Sequence, residues 1–135
     1  TQIQFFEPTT RQSIFVQRVI DGDTVVLSSG ARLRLIGIDA PEKGEPCFGE
    51  SAEFLREQVS GKLVEIEFGA EQYDKYGRKL GHIFRGQSNI NIAIADVGLA
   101  YAFPFESNTK YAEEFALAEQ RAREQAKGCL WQEKP

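Results

Sequence analysis

The chain has 135 residues, 41% of them hydrophobic and 27% charged, with a formal net charge of −4. That is long enough for one domain with its own core, and the composition is that of a globular protein rather than a disordered or fibrous one. No apolar run approaches the ~18 residues a membrane span needs, and the acidic balance argues against a dedicated nucleic-acid binder, which is usually basic.

A chain without Met that starts at Thr1 implies that an initiator and any leader have been removed. Residues 1–12 are polar, rich in Thr and Gln and without periodicity, and are predicted to be a poorly ordered arm ahead of one domain over 13–132. Ile14–Ile20, β-branched and aromatic, reads as a strand. Asp21-Gly22 reads as a hairpin turn in which Asp and Gly supply positive φ, and Thr24–Leu27 as the partner strand. Beyond a Ser28-Ser29-Gly30 turn, Arg32–Ile38 alternates, with Leu33 and Leu35 on one face and Arg34, Ile36 and Ile38 on the other.

Residues 40–50 form an irregular loop with two prolines. Phe48, Ala52, Leu55 and Val59 then fall on one face of a helix that Gly61 ends. Lys62–Phe68 alternates as a strand, Gly69–Gly77 is a polar connection, and Arg78–Phe84 is the last long strand. Ile90–Val97, with Asn89 or Ser88 as cap, reads as a buried helix. Ala100–Phe105 is a short extended piece. A final helix from about Thr109 to Lys127 has Asn108 as cap and a buried stripe of Tyr111, Phe115, Ala118, Ala122 and Ala126. The class is α+β, mainly β, and the pattern suits a five-stranded OB-type barrel with three helices packed outside.

Cys47 and Cys129 lie far apart with no CxxC spacing, a poor metal signal. Two readings fit them, a disulfide in an exported protein and a pair of free thiols. With His82 as the single histidine, a zinc site is not expected. His82 itself reads as a partly buried, hydrogen-bonded strand residue, and Tyr111 and Trp131 as packing residues.

Three charged segments remain. In Asp21-Gly22-Asp23-Thr24 the turn explains Asp21 and Gly22 but not Asp23, a carboxylate at the start of a strand, where Asp is disfavoured. In Arg34–Glu42 an arginine stands among apolar neighbours, Asp39 ends the strand, and Glu42 follows the stiff Pro41. A structural Arg34–Asp39 pair with a solvated Glu42 would account for these residues. So would a function, since burying an arginine is expensive. Carboxylates, a carbonyl and waters suit hard Ca²⁺, which takes oxygen ligands in irregular geometry. Asp74-Lys75-Tyr76-Gly77-Arg78 reads as an Asx turn, or as the carrier of a second guanidinium. Two planar forks hold phosphate oxygens in a way that lysine does not.

Taken in order, Ile20-Asp-Gly-Asp-Thr-Val25, Arg34-Leu-Ile-Gly-Ile-Asp-Ala-Pro-Glu42, Asp74-Lys-Tyr-Gly-Arg78, Gly98-Leu-Ala100 and a charged helix ending near Trp131 resemble the staphylococcal nuclease (thermonuclease) family from about residue 14 onward. The resemblance implies an OB-fold barrel and a Ca²⁺-dependent phosphodiesterase. Asp23, Asp39 and the Ala40 carbonyl would then hold the calcium, with Asp21 in its outer shell. Glu42 would serve as general base, Arg34 and Arg78 as phosphate clamps, and Lys75 and Tyr76 would flank the nucleotide's phosphate. Phe103 and Phe105 stand where the family's base-pocket tyrosines belong, so that stacking is kept and hydroxyl hydrogen bonds are lost. Ala40 replaces a threonine of the best-known member, whose chain is also basic.

The activity implied is hydrolysis of DNA and RNA, preferably single-stranded, at the 5′ P–O bond with little sequence choice. The enzyme would be a monomer, secreted or periplasmic, with no membrane attachment. Two rival readings are a non-catalytic module of the same fold that binds nucleic acid or protein, and a structural OB domain. Such modules typically lose the acidic and arginine positions, and here all are kept.

Overall fold

A computed structural model gives the structure of the protein and describes residues 10–105 and 107–132. Residues 1–9, the greater part of the predicted arm, lie outside the described residues, while Arg11 and Gln12 already belong to the first strand, β1 (Arg11–Asp21). β2 (Thr24–Leu27), β3 (Arg32–Leu35), β5 (Leu63–Tyr73) and β6 (Lys79–Arg85) join it as the barrel strands, ordered β3-β2-β1-β5-β6 within a six-stranded sheet. Parallel pairing of β3 with β6, with Arg34 opposite Leu80, closes it on itself. The result is the expected five-stranded barrel, mainly β with its helices outside.

Its interior is aliphatic. Val16, Val25, Leu27, Leu33, Leu35, Ile66 and Ile83 meet Leu55 and Val59 of α1 (Phe48–Val59) and Ile90 and Ile94 of α2 (Ile90–Asp96). Phe115 and Ala118 of α3 (Ala112–Glu124) complete the cluster. Each such side chain contributes ~1.5–3 kcal/mol on burial, so the strands that carry the charged segments stand on a rigid platform.

The predicted strand over Arg32–Ile38 is broken by Gly37. That residue has φ 88°, and a Cβ on it would stand 2.1 Å from the Phe115 ring, so both backbone and space demand glycine. Beyond the break, β4 (Ile38–Asp39) leaves the barrel and pairs with β8 (Tyr101–Ala102). Gly22 also differs from expectation. Its φ is not positive. Instead a Cβ there would stand 1.9 Å from the Ser51 hydroxyl and 2.9 Å from Ala40, so the turn is glycine because α1 and the site loop press against it.

Three boundaries moved for identifiable reasons. β5 runs on to Tyr73 through much of the predicted polar connection, pairing Tyr73 with Lys79 across an irregularity. Asn108 does not cap α3. Its amide oxygen accepts the Glu71 N–H at 3.0 Å and its amide nitrogen donates to the Glu71 carbonyl at 3.1 Å, so it clips the end of β5 instead. The predicted last helix is shortened, α3 ending at Glu124 where the chain turns through Ala126 at φ 50°, and a further short α4 (Gly128–Trp131) follows beyond the predicted end. A two-residue β7 (Ser88–Asn89) leads into α2, where Asn89 accepts the Ile92 N–H as predicted for a cap.

Candidate active site at the barrel rim

The site gathers where β1 turns into β2 and β4 leaves the barrel. Asp21 closes β1, and its carboxylate accepts the Asp23 N–H at 3.0 Å, which holds the turn. Asp23 is buried, at 5% exposure. One of its oxygens accepts from the Thr24 hydroxyl and the other from the Ala40 N–H, both at 2.8 Å. The second bond crosses from turn to site loop and fixes one against the other.

Arg34, only 8% exposed, lies in the middle. Its Nη1 donates to the carbonyls of Leu35 (2.6 Å) and Ile38 (2.8 Å). Its Nη2 stands 3.4 Å from Asp23 and 3.5 Å from Asp39. The plainer reading of a structural Arg34–Asp39 pair is therefore seen, but the same guanidinium also reaches Asp23, and the Asp39 side chain is more than half exposed. One cation faces three carboxylates. Burial, followed by the hydrogen bond and charge of Asp23, pushes the Asp21 carboxyl up to about 7, against the Asp23 N–H and Arg34. Burial and then the charge of Asp23 raise Asp39, with Arg34 opposing.

Such crowding is the electrostatic state a bound cation relieves. All the side chains offer oxygen, which fits a hard ion that completes its shell with water. Among the described residues the trio of candidate ligands converging within 4.8 Å is a different one, Cys47, Glu50 and Cys129. Its two sulfurs are joined to each other as a disulfide, with Cα atoms 5.6 Å apart, so the question left open by the cysteine spacing is resolved. That bond ties the end of the site loop to α4.

Glu42 projects from this loop and is exposed. Its N–H donates to the Glu45 carboxylate at 2.6 Å and its carbonyl accepts the Glu45 N–H at 2.9 Å, a closed local turn. Arg78 stands on a separate turn. Its Nε donates to Asp74 at 2.7 Å, and the other Asp74 oxygen accepts the N–H groups of Tyr76 and Arg78, each at 2.9 Å. Burial pushes Asp74 up, but the hydrogen bonds from Arg78 and Tyr76 outweigh it and hold its carboxyl below the usual range. The β3–β6 pairing brings this turn toward Arg34, since Leu80 lies opposite Arg34 and two residues beyond Arg78.

Aromatic rings flank both arginines. Arg78 stands 5.5 Å and Lys75 5.2 Å from the ring of the exposed Tyr76. Arg34 stands 5.4 Å from Phe105, which meets Phe103 edge-on at 5.6 Å. The two phenylalanines line an apolar pocket of about 170 Å³ with Pro104 and Phe115. The structure thus brings Asp21, Asp23, Arg34, Asp39 and Ala40 into one corner, Phe105 beside it, and Arg78, Lys75 and Tyr76 onto a neighbouring turn.

Sequence reasoning missed three participants. Asp74 closes the expected Asx turn by accepting the Tyr76 N–H, but its hold on the Arg78 side chain was not foreseen, although the Asp-x-x-x-Arg spacing carried that signal. Ser51 is fully buried against Gly22 with no hydrogen-bond partner for its hydroxyl among the described residues, and a serine inside an apolar helix face was the signal. Tyr101 lies opposite Asp39, and nothing in the sequence marked it out.

A closed barrel with acidic groups and arginines at its rim belongs to the OB-type architectures that meet polyanions through loops and one face. Comparison with known proteins narrows this class. The family model described as staphylococcal nuclease homologue matches residues 32–133, and the chain belongs to that family of nucleases. It is 36% identical over 128 residues to the thermonuclease of Staphylococcus intermedius, covering 88% of this chain and 74% of that protein. It is 33% identical over 129 residues to the thermonuclease of Staphylococcus hyicus, covering 89% and 76%. With endonuclease YncB of Bacillus subtilis (strain 168) it shares 35% over 123 residues, 82% of this chain and 58% of that protein. Nucleic acid is the substrate class of the family and hydrolysis its reaction.

Proposed function

We propose that the protein is a calcium-dependent nuclease that cleaves phosphodiester bonds of DNA and RNA, single strands preferentially, at the 5′ P–O bond with little sequence choice. The observation that carries this reading is Arg34, shared between Asp23 and Asp39 at 3.4 and 3.5 Å in a corner where burial and crowding raise two of the three carboxyls.

Asp23, Asp39 and the Ala40 carbonyl would hold the ion, with Asp21 behind them. Bound there, calcium supplies Lewis-acid polarisation of the phosphate and a site for the attacking water. Glu42, exposed and adjacent on the loop, takes the water's proton. Arg34, held by two backbone carbonyls through Nη1, would offer the phosphate oxygens its Nε and the Nη2 that Asp23 and Asp39 share. Arg78, steadied by Asp74, approaches from the neighbouring turn and stabilises charge at phosphorus and on the leaving oxygen. Lys75 and Tyr76 flank the phosphate of the bound nucleotide, while Phe103 and Phe105 receive a base by stacking. The disulfide supports a secreted or periplasmic setting. Among the described residues no helix is long and apolar enough to cross a membrane, and a monomer serves this chemistry.

The decisive assay incubates single-stranded DNA with the protein in calcium or in chelator, alongside Glu42→Gln. Calcium-dependent cleavage that falls steeply in the variant is expected. An absence of calcium-dependent cleavage sinks the enzyme reading in favour of a binding module, and cleavage unchanged by Glu42→Gln sinks the role given to that residue.

A further inference from the structure

We infer that Tyr101 is a second base-stacking platform, which receives the nucleotide next to the one over Phe103, on the Asp39 side of the site. The inference rests on the proposed nuclease reading and lengthens its substrate track by one base.

The first ground is register. In the β4–β8 ribbon Asp39 lies opposite Tyr101 and Ile38 opposite Ala102. The Phe103 N–H donates to the Gly37 carbonyl at 2.9 Å, which extends the ribbon by one step. Residues directly opposite share a face, and successive residues alternate. Asp39, Tyr101 and Phe103 therefore stand on one face, with Ile38 and Ala102 on the other. Exposure follows the same alternation, with Tyr101 at 42%, Phe103 at 48% and Ile38 at 0%. Two positions along an extended strand place the two ring anchors ~6.6 Å apart, a step that a splayed single strand can follow from base to base.

The second ground is support. The Tyr101 ring meets Trp131 edge-on at 5.6 Å, and Trp131 is covered in turn by the Arg123 guanidinium at 5.1 Å. Helix α4, which carries Trp131, is pinned by the Cys47–Cys129 bond and by the Leu130 N–H to the Gly98 carbonyl at 3.1 Å. A ring braced in this way loses little freedom when a base settles on it. An exposed tyrosine alone would mean nothing. This one is backed, and it stands beside a carboxylate of the site.

The third ground is the space beside it. A groove of about 230 Å³ runs from Tyr101 past Asp39, Pro41 and Leu130. Glu45 on its wall repels phosphate, and Asp39 marks the edge that the groove shares with the proposed ion site. The groove therefore accepts the neutral face of a base, while the sugar–phosphate chain stays on the arginine side.

The test compares KM for an oligothymidylate with KM for a single-base substrate, a nitrophenyl phosphodiester of thymidine. In Tyr101→Ala the ratio of the two rises about tenfold, the loss falling on KM rather than kcat, and Tyr101→Phe and Tyr101→Trp restore it. Binding of a fluorescein-labelled phosphorothioate oligothymidylate, followed by anisotropy, weakens about tenfold in the same variant. An unaltered ratio with unaltered binding overturns the proposal. So does an equal loss on both substrates, which would make Tyr101 a positioning residue for Asp39. If the wild-type protein binds the oligonucleotide but shows no calcium-dependent cleavage, the nuclease reading fails, and the anisotropy series still decides the role of Tyr101.

Discussion

The corner around Arg34 and the cluster around His82 both bury ionisable groups in one small barrel, yet they settle their charges in opposite ways. In the second, Glu67 is 3% exposed and accepts from the Lys110 ammonium and the Tyr111 hydroxyl, each at 2.7 Å. Burial pushes that carboxyl up, but the two donors outweigh it and hold it below its ordinary range. His82 beside it is neutral, its pKa pushed down by burial to about 4. Its ring lies edge-on to Tyr111 at 4.7 Å, and its Nδ1 is 3.4 Å from the amides of Asn89 and Asn91. Every charge there has a partner, whereas around Arg34 one cation serves three carboxylates. A folded chain keeps an unbalanced cluster where a ligand completes it, so the first region reads as a binding site and the second as a structural clasp.

The sharpest way to break this contrast is Arg34→Lys, which keeps the charge but loses the fork that reaches two carbonyls and two carboxylates at once. DNA cleavage should fall ~10²–10³-fold, and a loss under tenfold would move Arg34 to the structural side. Replacing both cysteines by alanine should lower stability by about 4 kcal/mol in the chain-entropy picture, read from urea midpoints. A negligible change would mean that packing alone holds α4.

The clasp has its own signature in acid. Between pH 6.5 and about 4 the unfolded chain takes up a proton at His82 that the folded chain refuses. Stability is therefore full above that window and declines as pH falls through it, by about 3 kcal/mol in all. Glu67, with its lowered pKa, adds a further loss at still lower pH. Denaturation midpoints for wild type and His82→Gln across this range test the slope, which the variant should flatten. Smallest is a pair of opposite signs. In calcium-free buffer at pH 8, Asp21→Asn removes one crowded carboxylate and should stabilise by about 1 kcal/mol, while Glu67→Gln weakens a satisfied pair and should cost about 2 kcal/mol. The same sign for both would erase the distinction.

The sequence made the run of strands along the chain and the charged corner readable because both are local, whereas the β1–β5 and β3–β6 pairings that close the barrel join distant segments. Asp21-Gly22-Asp23 and Arg34 to Glu42 are short segments in which a misplaced polar residue stands out. Gly22 was legible as a glycine and misread in its cause, since close approach by Ser51 and Ala40 leaves no trace in the turn itself. Of the clasp, His82 was legible as a buried, hydrogen-bonded strand residue and Tyr111 as a packing residue, but their link to a buried carboxylate was not. Glu67 reads as the polar side of an alternating strand, and Lys110 and Tyr111 lie 43 and 44 residues away, a distance no periodicity bridges. Tyr101 was hidden by the break at Gly37, which turned one expected strand into two and gave Asp39 a new neighbour.

The bond between Cys47 and Cys129 has a consequence for survival among proteases. It turns residues 47–129 into a covalent ring. A single cut on the exposed turn at Tyr76, or among the exposed residues before α3, opens the ring without parting the molecule. The segment that carries Arg34 and Glu42 would remain covalently joined to the one that carries α3 and α4. A nicked chain of this design would run as two fragments only after reduction.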